Sequence, residues 1–202
     1  MARQGDVIEN PRRNEQVRLL ETALETGGAR IVMGVTAEPT EVGPPIHMHP
    51  AQTETFEIEG GRLTYVLGRS QPRTAGPGDL VVIPRGISHT WWNAGPDTLR
   101  MVGRLEPAGR WQTFMETVYG LIRDGKVNAR GIPAPLQMAV LAWEFRNDVV
   151  FTAIPAPIRV LVLPVLAAIG RLRGYRAWYP EYTDPEADPA RPLRPTGSRS
   201  SG

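Results

Sequence analysis

The chain has 202 residues, 41% of them hydrophobic and 22% charged, which suits a soluble globular protein with a single core of ordinary size. A net charge of +2 is too small to point to a nucleic-acid or membrane surface. The absence of cysteine removes disulfides and thiolate metal sites, so any metal falls to histidine and carboxylate ligands.

The first segment, MARQGDVIENPRRNEQVRLL, lacks the apolar run of a secretory signal. No stretch reaches the roughly 18 uninterrupted apolar residues of a membrane span, so a cytoplasmic protein with no stable membrane insertion is expected. From residue 29 to 106 short β-rich runs follow one another between Gly and Pro: ARIVMGVT, ETFEIE, RLTYVLG, DLVVIP, HTWWN and TLRMVGRLE. Strands at this spacing predict an antiparallel sandwich or barrel. Leu63, Tyr65 and Leu67 alternate with Thr64 and Val66, which turns one face of that strand inward.

After Pro107 the period changes. Trp111, Phe114, Met115, Val118, Leu121 and Ile122 form one stripe of a helix that Gly125 can end. A second helix is expected from about Pro135 to Val150. A third, from about Pro157 to Arg173, carries Ile158, Leu161, Val162, Val165, Leu166 and Ile169 on its apolar stripe, with Pro164 kinking or restarting it. Each stripe should cover apolar surface, either the outside of the β-domain or a neighbouring copy of the chain. The tail 184–202, DPEADPARPLRPTGSRSSG, has almost nothing to bury and is expected to be disordered. The expected partition is a β-barrel with N-terminal strands over 1–107, a helical extension over 108–183, and the tail.

The chain holds three histidines. Two lie in His47-x-His49-x4-Glu54-x6-Gly61, and the third lies in Gly78-x5-Pro84-x-Gly86-x2-His89-x3-Asn93. These resemble the two conserved motifs of the cupin superfamily, the second without a mismatch. The glycine that usually stands six positions before the first histidine is Glu41 here, and Gly43 is the nearest glycine. The segments VNARGIPAPLQMAVLAWEF and GYRAWYPEY look like the helical C-terminal extension of a group of small bacterial cupins. The resemblance implies a mainly β fold, the cupin jelly-roll barrel, with C-terminal helices.

Residues at i and i+2 of a strand share a face, so His47 and His49 would both point into such a barrel. Glu54 could join them from the following strand, and His89 opens another. The resemblance implies that His47, His49, Glu54 and His89 hold one divalent transition metal ion: Fe, Mn, Ni, Co, Cu or Zn. Taken singly, a strand histidine is more often a hydrogen-bonded core residue and a strand-end glutamate a solvated charge. Phe56, Tyr65 and Trp91 are candidate walls of a substrate pocket, although a buried aromatic is commonly plain core. Arg104 could meet an anionic substrate group if its strand register turns it inward. Gln52 could stand beside the site, although a loop glutamine more often faces solvent.

Cupins with this ligand set include many dioxygenases. The resemblance therefore implies a metal-dependent oxygenase acting on a small enol, phenol or diketone, with Glu54 able to serve as a base. The alternatives are a redox-neutral isomerase, cyclase or lyase using the ion as a Lewis acid, and a module that binds a small molecule without converting it. Regulatory cupins normally carry a DNA-binding helical pair, for which the short segment before the barrel shows no pattern. A homodimer is the expected assembly, because the third helix offers more apolar surface than a small barrel needs.

Overall fold

The computed structural model describes residues 1–184 and 189; the tail expectation falls almost entirely on residues outside these. Eleven strands are present among the described residues: β1 (Val7–Asn10), β2 (Glu15–Glu21), β3 (Ile31–Ala37), β4 (His47–Met48), β5 (Thr53–Gly60), β6 (Leu63–Leu67), β7 (Arg73–Ala75), β8 (Leu80–Ile83), β9 (His89–Trp92), β10 (Leu99–Glu106) and β11 (Val150–Phe151). They form two antiparallel sheets, one in the order β1-β2-β3-β10-β5-β8 and one in the order β11-β4-β9-β6-β7. This is the expected jelly roll, mainly β with C-terminal helices.

Period-2 patterning explains why the core lies inside the roll. In β2, Val17 and Leu19 are buried between exposed Gln16 and Arg18, and in β10, Leu99, Met101, Gly103 and Leu105 face inward. The apolar side chains among these join Ile31, Met33, Val35, Phe56, Ile58, Leu63 and Ile83 in one cluster. β6 alternates less cleanly: Leu63 and Thr64 are both buried, and the rest of the strand is half-buried.

Helix α1 (Trp111–Arg123) carries the expected stripe, and its cap at Asp124 is followed by Gly125 at positive φ. The stripe closes over the barrel on one side, through Met115 and Tyr119, and over a second cluster on the other. Helix α2 (Pro135–Glu144) is shorter than expected. The chain leaves it at Phe145 because Val150 and Phe151 pair with Met48 and His47 as the edge strand β11, which a helix running to Val150 would prevent.

Pro164 restarts the third helix. A π-helical turn, Ile158–Val162, precedes α3 (Leu163–Leu172), whose first turn accepts the proline. The apolar stripe of this segment is turned outward, away from the rest of the chain, with Leu161 70% and Val165 56% exposed. The small face Leu163, Ala167 and Gly170 packs inward. Gly170 allows this close approach, since a Cβ there would stand 2.7 Å from Val140 Cγ2 and 2.8 Å from the Leu136 carbonyl oxygen. No helix among the described residues is long and apolar enough to cross a membrane.

Candidate metal centre

Two strands bring the histidines together. His47 in β4 is paired directly with His89 in β9, and His49 follows β4 two residues after His47. Their ring centroids lie 4.3 to 5.4 Å apart, and one nitrogen from each falls within 4.8 Å of the others. All three side chains are buried.

The orientation of each ring is fixed by a backbone carbonyl. His47 Nδ1 donates to Pro45 O at 2.8 Å, His49 Nδ1 to Asp148 O at 2.7 Å, and His89 Nδ1 to Ile87 O at 3.0 Å. A carbonyl only accepts, so each neutral ring carries its proton on Nδ1 and leaves the Nε2 lone pair free. Metal-binding histidines are held in this way, with one nitrogen tethered and the other presented.

Glu54 completes the cluster from β5, the opposite sheet. Its Oε2 lies 2.9 Å from His89 Nε2 and 3.8 Å from His49 Nε2. The closer pair lies within hydrogen-bond distance but not hydrogen-bond alignment, and all three atoms are buried without a properly aligned partner. Buried polar atoms are almost always paired, and unpaired atoms converging on one point are the pattern of a ligand set. The donor set, three imidazoles and one carboxylate, fits a divalent transition ion.

The electrostatics agree. Burial, reinforced by the two other imidazoles, pushes His47 down to about 3, so it remains neutral and available as a donor. Burial likewise lowers His49. At His89 burial acts in the same direction, but Glu54 outweighs it and the net shift is upward. At Glu54 burial favours the neutral acid, yet the surrounding imidazoles hold the carboxyl below its ordinary range.

The profile of the Cupin domain family matches residues 34–103, the segment that carries all four of these side chains. Residues 34–103 are a cupin domain. The probable oxidoreductase virH of Hypocrea virens is 29% identical over 153 residues, covering 69% of this chain and 68% of that protein. Among solved structures, KdgF from a Halomonas species is 20% identical over 53% of this chain and 92% of its own, with a TM-score of 0.44. A cupin-like protein from Thermotoga maritima is 26% identical over 50% of this chain and 73% of its own, with a TM-score of 0.42.

Of the three cupin histidines, His47 opens onto a cavity, whose wall also contains Glu54, Phe56 and Trp91. Phe56 and Trp91 meet edge to face at 6.0 Å. Tyr65 lies across from Trp91 on β6 and packs on the barrel core, but it is not part of the cavity wall. Arg104 is placed elsewhere: its guanidinium lies 3.5 Å from Glu57 in an exposed pair. Its neighbour Gly103 takes the inward register on β10, so the expectation that Arg104 reaches a substrate is corrected. The shifted glycine of the first motif also has an explanation. At Gly43 the backbone passes so close to the Trp91 carbonyl oxygen that a Cβ would collide with it.

Several residues outside the cupin motifs contribute. Trp111 of α1 lies parallel to His47 at 6.1 Å and edge-on to His49 at 4.8 Å, and its indole nitrogen is buried without a partner. Asp148, in the loop between α2 and β11, presents the carbonyl that holds His49. Its carboxylate accepts from the Arg110 backbone N–H at 2.8 Å and from Gln52 Nε2 at 3.2 Å. Gln52 is thus buried beside the site and does not face solvent. The sequence marked Trp111 only as part of a helical stripe, and it carried no local signal for Asp148, which acts mainly through its backbone.

Proposed function

We propose that this cupin is a metal-dependent oxidoreductase of the dioxygenase type, acting on a small enol, phenol or diketone. One observation carries the reading. Three buried imidazoles, each tethered at Nδ1, turn their other nitrogens toward one point beside Glu54 at an apolar cavity. The fungal relative, named a probable oxidoreductase, is consistent with it.

His47, His49 and His89, with Glu54 as a fourth ligand, would hold the ion, which supplies Lewis acidity and, where redox-active, electrons for dioxygen chemistry. Glu54 is held as a carboxylate and can accept a proton at Oε2 from an enol or phenol. Phe56, Trp91 and Trp111 present flat apolar surfaces that align a planar substrate and exclude water from it.

Metal analysis of protein prepared without chelators tests the centre. The native chain is expected to carry close to one transition ion per molecule and His89→Ala to lose it; equal content in the two refutes the site. Oxygen uptake tests the reaction class. Uptake stoichiometric with turnover is expected, and turnover without uptake would replace the oxidoreductase reading with isomerase, cyclase or lyase chemistry, in which Glu54 still moves the proton.

A further inference from the structure

Away from the histidines, the cavity wall carries a second polar cluster. Arg13 Nη2 lies 2.9 Å from Glu15 Oε2, and it donates to Glu15 Oε1 at 3.1 Å and to Tyr119 Oη at 3.3 Å. The Tyr119 hydroxyl in turn donates to Glu15 Oε1. Glu15 and Tyr119 are buried and Arg13 nearly so. The Arg13 guanidinium carbon stands 6.0 Å from the Trp91 ring, and the exposed Arg12 and Arg130 line the same cavity.

Packing alone does not account for this cluster. A buried ion pair is often no more stabilising than apolar residues of the same volume, so the fold has little need of one here. Arg13 Nε is buried with no hydrogen-bond partner, although its neighbour Nη2 is shared among three contacts. Three arginines and two carboxylates line the described wall, and one of the two acids, Glu54, stands with the histidines. Burial and the Glu15 carboxylate keep the Tyr119 hydroxyl protonated, so it adds no compensating negative charge.

We propose that this end of the cavity seats the carboxylate of a small, flat organic acid, received by Arg13 Nε and faced by Arg12 and Arg130. That the opposite end of the same molecule meets the histidine cluster rests on the function proposed above; the acid seat itself does not. Phe56 and Trp91 share this wall, meeting edge to face at 6.0 Å, and the Arg13 guanidinium carbon stands 6.0 Å from the Trp91 ring. Flat aromatic walls beside a guanidinium suit a one- or two-ring acid. Glu15 beside Arg13 favours a singly charged carboxylate over a phosphate dianion.

Quenching of tryptophan fluorescence, with Trp91 and Trp111 in the wall, reads binding of 2-naphthoate against its neutral amide, 2-naphthamide. The full native chain should prefer the acid by about tenfold or more, the effect of one charge-assisted hydrogen bond. Arg13→Gln should abolish the preference while leaving amide binding in place, which also reports an intact fold. Should that variant not fold, Arg12→Gln with Arg130→Gln, both at exposed positions, should weaken the acid alone. His89→Ala should retain the preference. Equal binding of acid and amide, no binding of either, or a preference unchanged by the arginine substitutions overturns the seat. So does a preference lost in His89→Ala but kept in Arg13→Gln, because a bound ion would then be reading the carboxylate. Retained preference in a native chain that carries no ion defeats the oxidoreductase reading and leaves the seat standing; lost preference with normal ion content does the reverse.

Discussion

Replacing Asp148 by Ala should weaken metal binding although Asp148 offers no atom to the ion. Its carboxylate accepts from the buried Gln52 amide and from the Arg110 N–H at the start of α1, and these two bonds hold the backbone whose carbonyl fixes His49 Nδ1. A hydrogen bond to a charged group contributes about 1.5–3 kcal/mol, and the 3.2 Å bond from Gln52 belongs at the lower end. The loss of both should cost about 3 kcal/mol, which in a chain of this size lowers Tm by roughly 6–12 °C. With the carbonyl free to drift, His49 loses its tautomeric bias, and removal of such a supporting contact weakens metal binding about 10–100-fold. Competition with a chromogenic chelator measures that factor, and differential scanning calorimetry measures the stability loss. Asp148→Asn keeps an acceptor at Oδ1 and should fall between native and Ala in both assays. An Asp148→Ala protein that loses stability as expected but binds the ion with native affinity would refute the reasoning, since the carboxylate would then have no part in holding the carbonyl that orients His49.

Glu116 of α1 is buried, and burial raises its pKa although Gln112 Nε2 and the Ala2 N–H donate to it at 2.8 Å. An acid whose pKa is higher folded than unfolded contributes stability that is full below the unfolded value near 4.5 and is lost as pH rises through the folded value. Glu116→Gln should therefore gain stability relative to the native chain between about pH 4 and about pH 7 in urea titrations, and a constant difference across that range would refute the shift. The outward apolar face of α3 and the preceding π-helical turn, with Val160, Leu161 and Val165 all more than half exposed, is proposed as the contact of a homodimer. Light scattering at tens of micromolar should give twice the chain mass, with Leu161→Glu reducing it to one; a native monomer would defeat the proposal.

The barrel was legible because its strands sit between Gly and Pro turns and because residues two apart share a face, which aligned His47 with His49 and His89 with Trp91. Arg104 shows the limit of that reasoning. A strand with apolar residues on both faces does not declare its register, and one residue of offset separates the cavity at Gly103 from the surface at Arg104. The face by which α3 packs on its neighbour was hidden for a related reason. Its large apolar residues outweigh the small ones in any periodicity, yet it is Ala167 and Gly170 that let two helices approach. The role of Asp148 had no local signature, because a backbone carbonyl is supplied by every residue and becomes specific only through the fold.

The contacts that carried no local signal share a location, the join between barrel and extension. β11 pairs with the strand that carries His47, Asp148 orients His49 from just before β11, and Trp111 lies against both imidazoles from the first turn of α1. A barrel ending at Glu106 would contain all four proposed ligands in sequence and still lack the carbonyl that selects the tautomer of His49. The imidazole of His49 would then be free to protonate at Nε2 and turn a donor N–H toward the ion. The extension thus acts on the chemistry of the centre as well as covering it. The two cupin motifs specify which atoms can bind, and the residues after Pro107 specify the protonation state in which one of them is offered.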